Sequence, residues 1–335
     1  MKGLIMETND KKPEVPSFVK TGRSLLENDI TEIPMLWGHL LQKYGIAVLG
    51  GSSDTGKSSL LRQLSAAIVN KETDFLNFPL NLTHNSVILI SSEDDEDTMS
   101  SIIKREYLEK YSNENYDNLR FIFDTSDIFN KLIVELERQP ADCVIIDALG
   151  DFITGEMNSA NNVRAFYNLF NTIAKSYKCL IVFLHHTRKS SSDITPSKYD
   201  LLGSQGLEAK PRSVLMLSID EKDDNIRYLT LVKGNYTATG HKKNAIVLKV
   251  NDKFVFEFSE VVENIVDRVK PNLSKITPEV ARRIGELRNG LVRHTISQIT
   301  KVLNEEGIEI SRGTVGAFVK KLDSNSDSRP TSNLL

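Results

Sequence analysis

Short apolar runs alternate with amphipathic stretches through the middle of the chain. Ile46-Ala47-Val48-Leu49, Val87-Ile88-Leu89-Ile90, Phe121-Ile122-Phe123, Val144-Ile145-Ile146 and Leu180-Ile181-Val182-Phe183-Leu184 are rich in β-branched and aromatic residues with no polar alternation. Such runs predict strands buried on both faces. Between them apolar residues recur at helical spacing: Leu60, Leu61, Leu64, Ala67 and Ile68; then Ile128, Phe129, Leu132, Ile133 and Leu136; then Val163, Phe166, Tyr167, Phe170, Ile173 and Ala174. Alternating β and α units imply an α/β fold, a mainly parallel sheet covered by helices.

After Val214-Leu215-Met216-Leu217 the texture changes to strands joined by short polar turns, over 226–233, 245–250 and 253–258. These predict antiparallel hairpins closing one edge of the sheet. The resulting division is a polar lead-in over 1–33, punctuated by Pro13 and Pro16, the α/β domain over 34–260, a linker over 261–276 containing Pro271, a small helical domain over 277–323, and a Ser- and Asn-rich disordered tail over 324–335. In the small domain, helices are expected over 277–287 and 295–305, with a third opening at Ser311. The spacing Ile296-x-x-Ile299-x-x-Val302-Leu303, a glycine turn, then Val315-x-x-Phe318-Val319-x-x-Leu322 resembles a winged helix-turn-helix. Arg312, Thr314, Lys320 and Lys321 are its candidates for phosphate or base contact, and a helical packing or oligomerisation domain is the alternative.

Charge sharpens that division. The 335 residues are 40% hydrophobic and 26% charged, enough for a real core, and a net charge of -3 excludes a chain coated in positive charge. Yet 268–322 holds eleven basic and five acidic residues, a net of +6, leaving -9 on the remainder. A basic module on an acidic body points to a polyanion such as DNA, against the alternative of a solvated helical face. Cys143 and Cys179 fit neither a metal-ligand spacing nor a disulfide framework, no segment resembles a signal peptide, and no run reaches the ~18 apolar residues of a membrane span. A soluble, cytoplasmic protein without membrane partners is expected.

The chemistry begins directly after the first apolar run. Gly51-Ser52-Ser53-Asp54-Thr55-Gly56-Lys57-Ser58 fits G-x-x-x-x-G-K-[ST] between a predicted strand and a predicted helix. Its glycines let backbone N–H groups wrap phosphates, Lys57 reaches the outer ones, and the Ser58 hydroxyl can ligate Mg²⁺; with Ser59 these residues form the expected ATP cradle. A second metal-side oxygen is needed, and Asp147 supplies one at the end of Cys143-Val144-Ile145-Ile146. Ser91-Ser92-Glu93-Asp94-Asp95-Glu96-Asp97 follows the second run; Glu93, nearest the strand end, is the candidate base for the attacking water, with a solvated helix start as the alternative. The fifth run ends in His185-His186-Thr187-Arg188. Adjacent strand residues point to opposite faces and chelate poorly, so one imidazole is expected to contact the γ-phosphate or water, or both to be bonded within the loop.

Taken together, these motifs, with Gly203-Ser204-Gln205-Gly206-Leu207-Glu208-Ala209-Lys210-Pro211-Arg212 and Lys233-Gly234-Asn235-Tyr236, resemble the RecA-like ATPase superfamily over about residues 34–258. Within it they are closest to RepA-type hexameric replicative helicases of mobile elements, and more distantly like DnaB-type helicases and KaiC-like ATPases. The resemblance implies Glu93 as general base, Asp147 as the Mg²⁺-side acid and His185, or by one position His186, as the sensor of nucleotide state. It implies Arg212 as an arginine finger given to the neighbouring subunit, with Lys233 near the same phosphates, and therefore a homo-oligomeric ring, most often a hexamer. The polar loop over 187–202, with Arg188 and Lys189, would line a channel for single-stranded DNA, with plain disorder explaining its composition equally well. A helicase or translocase is the first functional expectation. The others are an ATP-gated DNA-binding regulator or recombination mediator without unwinding, and a non-enzymatic protein with a degenerate ATPase core.

Overall fold

The computed structural model describes residues 19–107, 113–152, 160–187, 210–220, 223–263, 276–290, 294–308, 310, 314–316 and 318–319. The chain divides into two compact units, 1–34 and 35–335. Within the first, helix α1 (Gly22–Leu26) is capped by Thr21, whose side chain accepts from the Ser24 N–H.

The second unit opens with two short strands, β1 (Met35–Trp37) and β2 (Leu41–Gln42), followed by β3 (Gly45–Gly51) and helix α2 (Lys57–Val69). A second small pair, β4 (Asp74–Phe75) and β5 (Phe78–Pro79), leads to β6 (Val87–Ser91), α3 (Glu96–Tyr107) and β7 (Leu119–Ile122). Then come α4 (Ile128–Arg138), β8 (Cys143–Asp147), α5 (Ala160–Ser176) and β9 (Leu180–His186). Strands β10 (Ser213–Ile219), β11 (Ile226–Gly234), β12 (Ala245–Val250) and β13 (Phe256–Val262) complete the sheet, and α6 (Pro278–Asn289) and α7 (Ile296–Glu305) follow.

The nine-stranded sheet runs β13-β12-β11-β10-β3-β9-β8-β6-β7. From β10 to β7 every pairing is parallel; β11, β12 and β13 add antiparallel at one edge. Period-two alternation splits each central strand between two cores: Ala47 and Leu49 pack with Leu60, Leu61 and Leu64 of α2, while Ile46 and Val48 pack on the other face with Phe170 of α5 and Leu132 of α4. This mixed, mostly parallel sheet with helices on both faces is the α/β architecture expected from the alternation.

Two details differ from the sequence pattern. The strand expected over 253–258 begins only at Phe256, because the Asn251 side chain accepts from the Lys253 and Val255 N–H groups and Phe254 takes φ +61, closing a turn where a ladder was expected. At its other end β13 pairs Val262 with Ala245 and so carries the sheet two residues past 260. The small strand pairs were not legible. They are two or three residues long, too short for a period, and are anchored by Trp37, whose indole N–H donates to the Phe75 carbonyl at 2.9 Å.

In the small domain, Thr277 caps α6, and a capping box joins Thr295 and Gln298 at α7. Ile284, Ile299, Leu303, Val315 and Val319 form its own core. Several of its cations are already partnered: Arg282 with Glu286, Arg283 with Glu306, and Lys301 with Glu305. Each of these pairs takes one base and one acid from the count, so the net of +6 over 268–322 stands and rests on the cations left over. Among the described residues no helix is long and apolar enough to cross a membrane.

Candidate nucleotide site

Four parallel strands, β3, β9, β8 and β6, end side by side, with Gly51 opposite His186 and Asp147 opposite Ser91. Ligands of such sheets sit outside the carboxyl ends of the strands, and the sequence motifs converge there.

The loop after β3 requires glycine at both ends. A Cβ on Gly51 would lie 2.5 Å from the Leu217 carbonyl oxygen, and Gly56 takes φ +89 with a Cβ position 2.8 Å from the Phe256 ring. Asp54 also takes positive φ, at 64°. A side chain at Gly51 would fill the cradle from behind, so the loop has the shape that backbone donors need to wrap an anion. The hydroxyl of Thr55 donates to the Ser52 carbonyl at 3.0 Å and holds the turn.

Lys57 opens α2 and is 5% exposed. Its ammonium donates to the Ser52 carbonyl at 2.8 Å and lies 3.4 Å from His186 Nδ1. Burial lowers its pKa, opposed by the carboxylates of Asp147, Glu93 and Asp54. Asp147 shows the reverse: burial raises its pKa, a hydrogen bond from Ser58 lowers it, Glu93 raises it, and Arg62 and Lys57 lower it. The Ser58 hydroxyl and the Asp147 carboxylate are thus already joined, the two oxygens expected to share Mg²⁺. Among the described residues no group of three or more His, Cys, Asp or Glu could hold a metal ion. Ser59 turns elsewhere, accepting from Arg62 at 2.9 Å inside the buried Arg62–Glu106 pair.

The acidic run divides by role. Asp95 accepts from the Thr98 N–H at 2.8 Å, and Glu96 and Asp97 fall in the first turn of α3, as a solvated helix start predicts. Glu93 stands apart, with Oε1 3.7 Å from His186 Nε2. Its loop is fastened by Ser92, whose Oγ lies 2.9 Å from the Asp147 carbonyl and 2.6 Å from Asp151 Oδ2 and accepts from the Ala148 N–H at 3.2 Å. His186 is therefore the imidazole between Lys57 and Glu93. His185, the first expectation, is 3% exposed beside Gly50 on the next strand, as alternation requires of its neighbour.

Arg212 and Lys233 lie elsewhere. The Arg212 N–H donates to the Ile46 carbonyl, and Lys233 pairs with Val214, so both sit at the amino end of β3 and β10. From Ile46 to Gly51 is five residues of strand, about 17 Å. Arg212 is exposed, its guanidinium 5.8 Å from the centre of the Tyr236 ring. Thr314, expected at a DNA surface, is 2% exposed beside buried Val315, because the packed face of its helix takes both. Arg188, Lys189, Arg312, Lys320 and Lys321, and the segment 203–209, lie outside the described residues.

Sequence reasoning passed over Ser92, Arg62 and Arg227. For Arg227 a signal existed: it shares the inward alternation of Leu229 and Leu231 on β11. Arg62 carried none, since its partner Glu106 lies on another helix.

A glycine cradle at a strand-to-helix turn, with a lysine, a Ser–Asp oxygen pair and a second carboxylate, defines a phosphate-loop nucleoside triphosphatase. A model of the AAA domain family AAA_25 matches residues 11–192, more than half of the chain, and the protein belongs to that family. Membership suggests nucleotide-hydrolysing activity, and such ATPases generally bind ATP with Mg²⁺. Among solved structures the chain is similar to a KaiC-like protein from the hyperthermophilic archaeon Pyrococcus horikoshii OT3, with TM-score 0.47 and 13% identity over 65% of this chain and 91% of that one. No curated protein matches the chain in sequence.

Proposed function

We propose that the protein is an ATP-hydrolysing, ring-forming DNA helicase or translocase. The observation that carries this reading is the separation of the catalytic groups: Lys57, Glu93, Asp147 and His186 at one end of the sheet, Arg212 and Lys233 at the other. An arginine about 17 Å of strand away cannot serve the nucleotide of its own subunit. It can serve a neighbour's, in a closed ring whose sites are complete only between copies.

In this reading Lys57 would exchange the Ser52 carbonyl for the outer phosphates of ATP, and Ser58 and Asp147 would hold Mg²⁺. The ion, when bound, neutralises phosphate charge. Glu93 takes the proton of the attacking water. His186 touches both Lys57 and Glu93, and the next residue, Thr187, donates from its N–H to the Gly51 carbonyl at 3.0 Å. It can therefore pass the state of the nucleotide into the segment carrying Arg188 and Lys189, which would contact single-stranded DNA. The basic C-terminal domain, with its own core and caps, favours a second reading: an ATP-gated regulator binding duplex DNA.

One experiment separates them: ATP hydrolysis with single-stranded DNA, duplex DNA or RNA, with forked-duplex unwinding on the same sample. Stimulation by single strands with unwinding is expected. Stimulation by duplex alone, without strand separation, would transfer the proposal to the regulator.

A further inference from the structure

A phosphate loop binds anions through backbone N–H groups, so the planes of its peptides set its affinity. One of those peptides is held from the antiparallel edge of the sheet. Arg227, second residue of β11 and 6% exposed, donates from Nε to the Thr55 carbonyl at 3.0 Å. Its Nη1 donates to the Asp224 carbonyl and, at 3.1 Å, to that of Ile226, which clamps the guanidinium against the β10–β11 turn. Thr55 is itself fully buried, and Phe256 of β13 backs Gly56. Gln63 of α2 exchanges two hydrogen bonds of 2.8 Å with the Phe256 backbone, so helix, loop and edge strands form one braced unit.

In a trans peptide the C=O and N–H point in opposite directions. We infer that Arg227 is a positioning residue of the nucleotide site: by holding the Thr55 carbonyl on the sheet side of the loop, it aims the Gly56 N–H of the same peptide at the phosphates. The hydrogen bond is charge-assisted, which polarises the peptide and strengthens that N–H as a donor. Burial costs the guanidinium, lowering its pKa against the nearby charges of Asp224 and Asp223. A cation kept in such a place and spent on carbonyls fits a role in orienting backbone. The inference rests on the loop being the nucleotide site.

The test is Mg·ATP binding and steady-state hydrolysis by the full chain carrying Arg227→Met or Arg227→Lys. Arg227→Met is expected to raise Kd and KM for ATP about tenfold with kcat within about twofold, the signature of lost uniform binding. Arg227→Lys, which keeps the charge and one donor but not the fork, is expected to fall between, about threefold above wild type. A merely structural role would do the opposite, reducing kcat per mole of protein at unchanged KM. Unchanged KM in Arg227→Met overturns the inference and leaves the nucleotide site standing; if that variant does not fold, unchanged KM in Arg227→Lys does the same. A wild type that binds no Mg·ATP overturns both.

Discussion

The two ends of the central sheet are built differently. At the carboxyl ends of β3, β6, β8 and β9 the polar groups are cross-bonded: Lys57 is buried, Asp147 is joined to Ser58, and Ser92 fastens the Glu93 loop to β8, while the Glu93 and His186 side chains themselves stay half exposed toward the site. At the amino end of β3 and β10, Arg212 and Tyr236 lie open on the surface, one over the other. On the proposed ring, the difference teaches how a site completed between copies would divide its labour. Groups that serve their own nucleotide gain from being fixed in advance, since preorganised donors cost no reorganisation during reaction. A group proposed to serve a neighbour, as Arg212 is, would have to remain exposed until that neighbour arrives.

The strongest challenge to this comparison is at the packed end. Lys57→Ala is expected to abolish ATP binding and hydrolysis together, whereas Glu93→Gln should keep ATP bound and slow phosphate release by about 10²- to 10⁴-fold. Equilibrium binding and phosphate-release kinetics on both variants check this, and wild-type turnover in Glu93→Gln would move the base elsewhere.

At the open end, Arg212→Ala should retain nucleotide affinity and lose about 10³-fold in turnover. Mixing it with Lys57→Ala, itself inactive, should recover part of the activity, because in the proposed ring hybrid interfaces would pair an intact loop with an intact arginine. A silent mixture, or full turnover by Arg212→Ala alone, breaks the division between the two ends.

The smallest effect concerns the same amino end. His39 stacks on His241 with ring centres 4.0 Å apart and lines a cavity of about 250 Å³ with Phe78, Ile246 and Glu263. Burial, and then the neighbouring His241, lower its pKa from 6.5 to about 4. The unfolded chain therefore binds a proton that the folded one refuses. This contribution to stability is complete above pH 6.5 and is lost as pH falls through about 4. His39→Phe should flatten the decline of Tm between pH 6.5 and 4 while leaving KM for ATP unchanged. An unaltered slope would show that the imidazole does not titrate as the stack requires.

Much of the site was legible because its determinants are local. The spacing from Gly51 to Ser58 specifies a turn of fixed length, and the Cβ clashes at Gly51 and Gly56 show why no other residue fits. Asp147 and Glu93 were legible as the ends of apolar strands. The choice between His185 and His186 was not, because alternation says that they face opposite sides without saying which side holds Lys57. Arg227 was visible as an inward charge, but its target, Thr55, lies 172 residues away.

By itself, then, the sequence determined the order of strands and helices, the cradle and the carboxylates, since each depends on periodicity or on spacing within a few residues. Only the tertiary structure decided that His186 meets Lys57 and Glu93, that Arg227 grips the loop, and that Arg212 stands at the far end of the sheet. Those facts depend on strand order and register, which are fixed by packing between segments far apart in the chain.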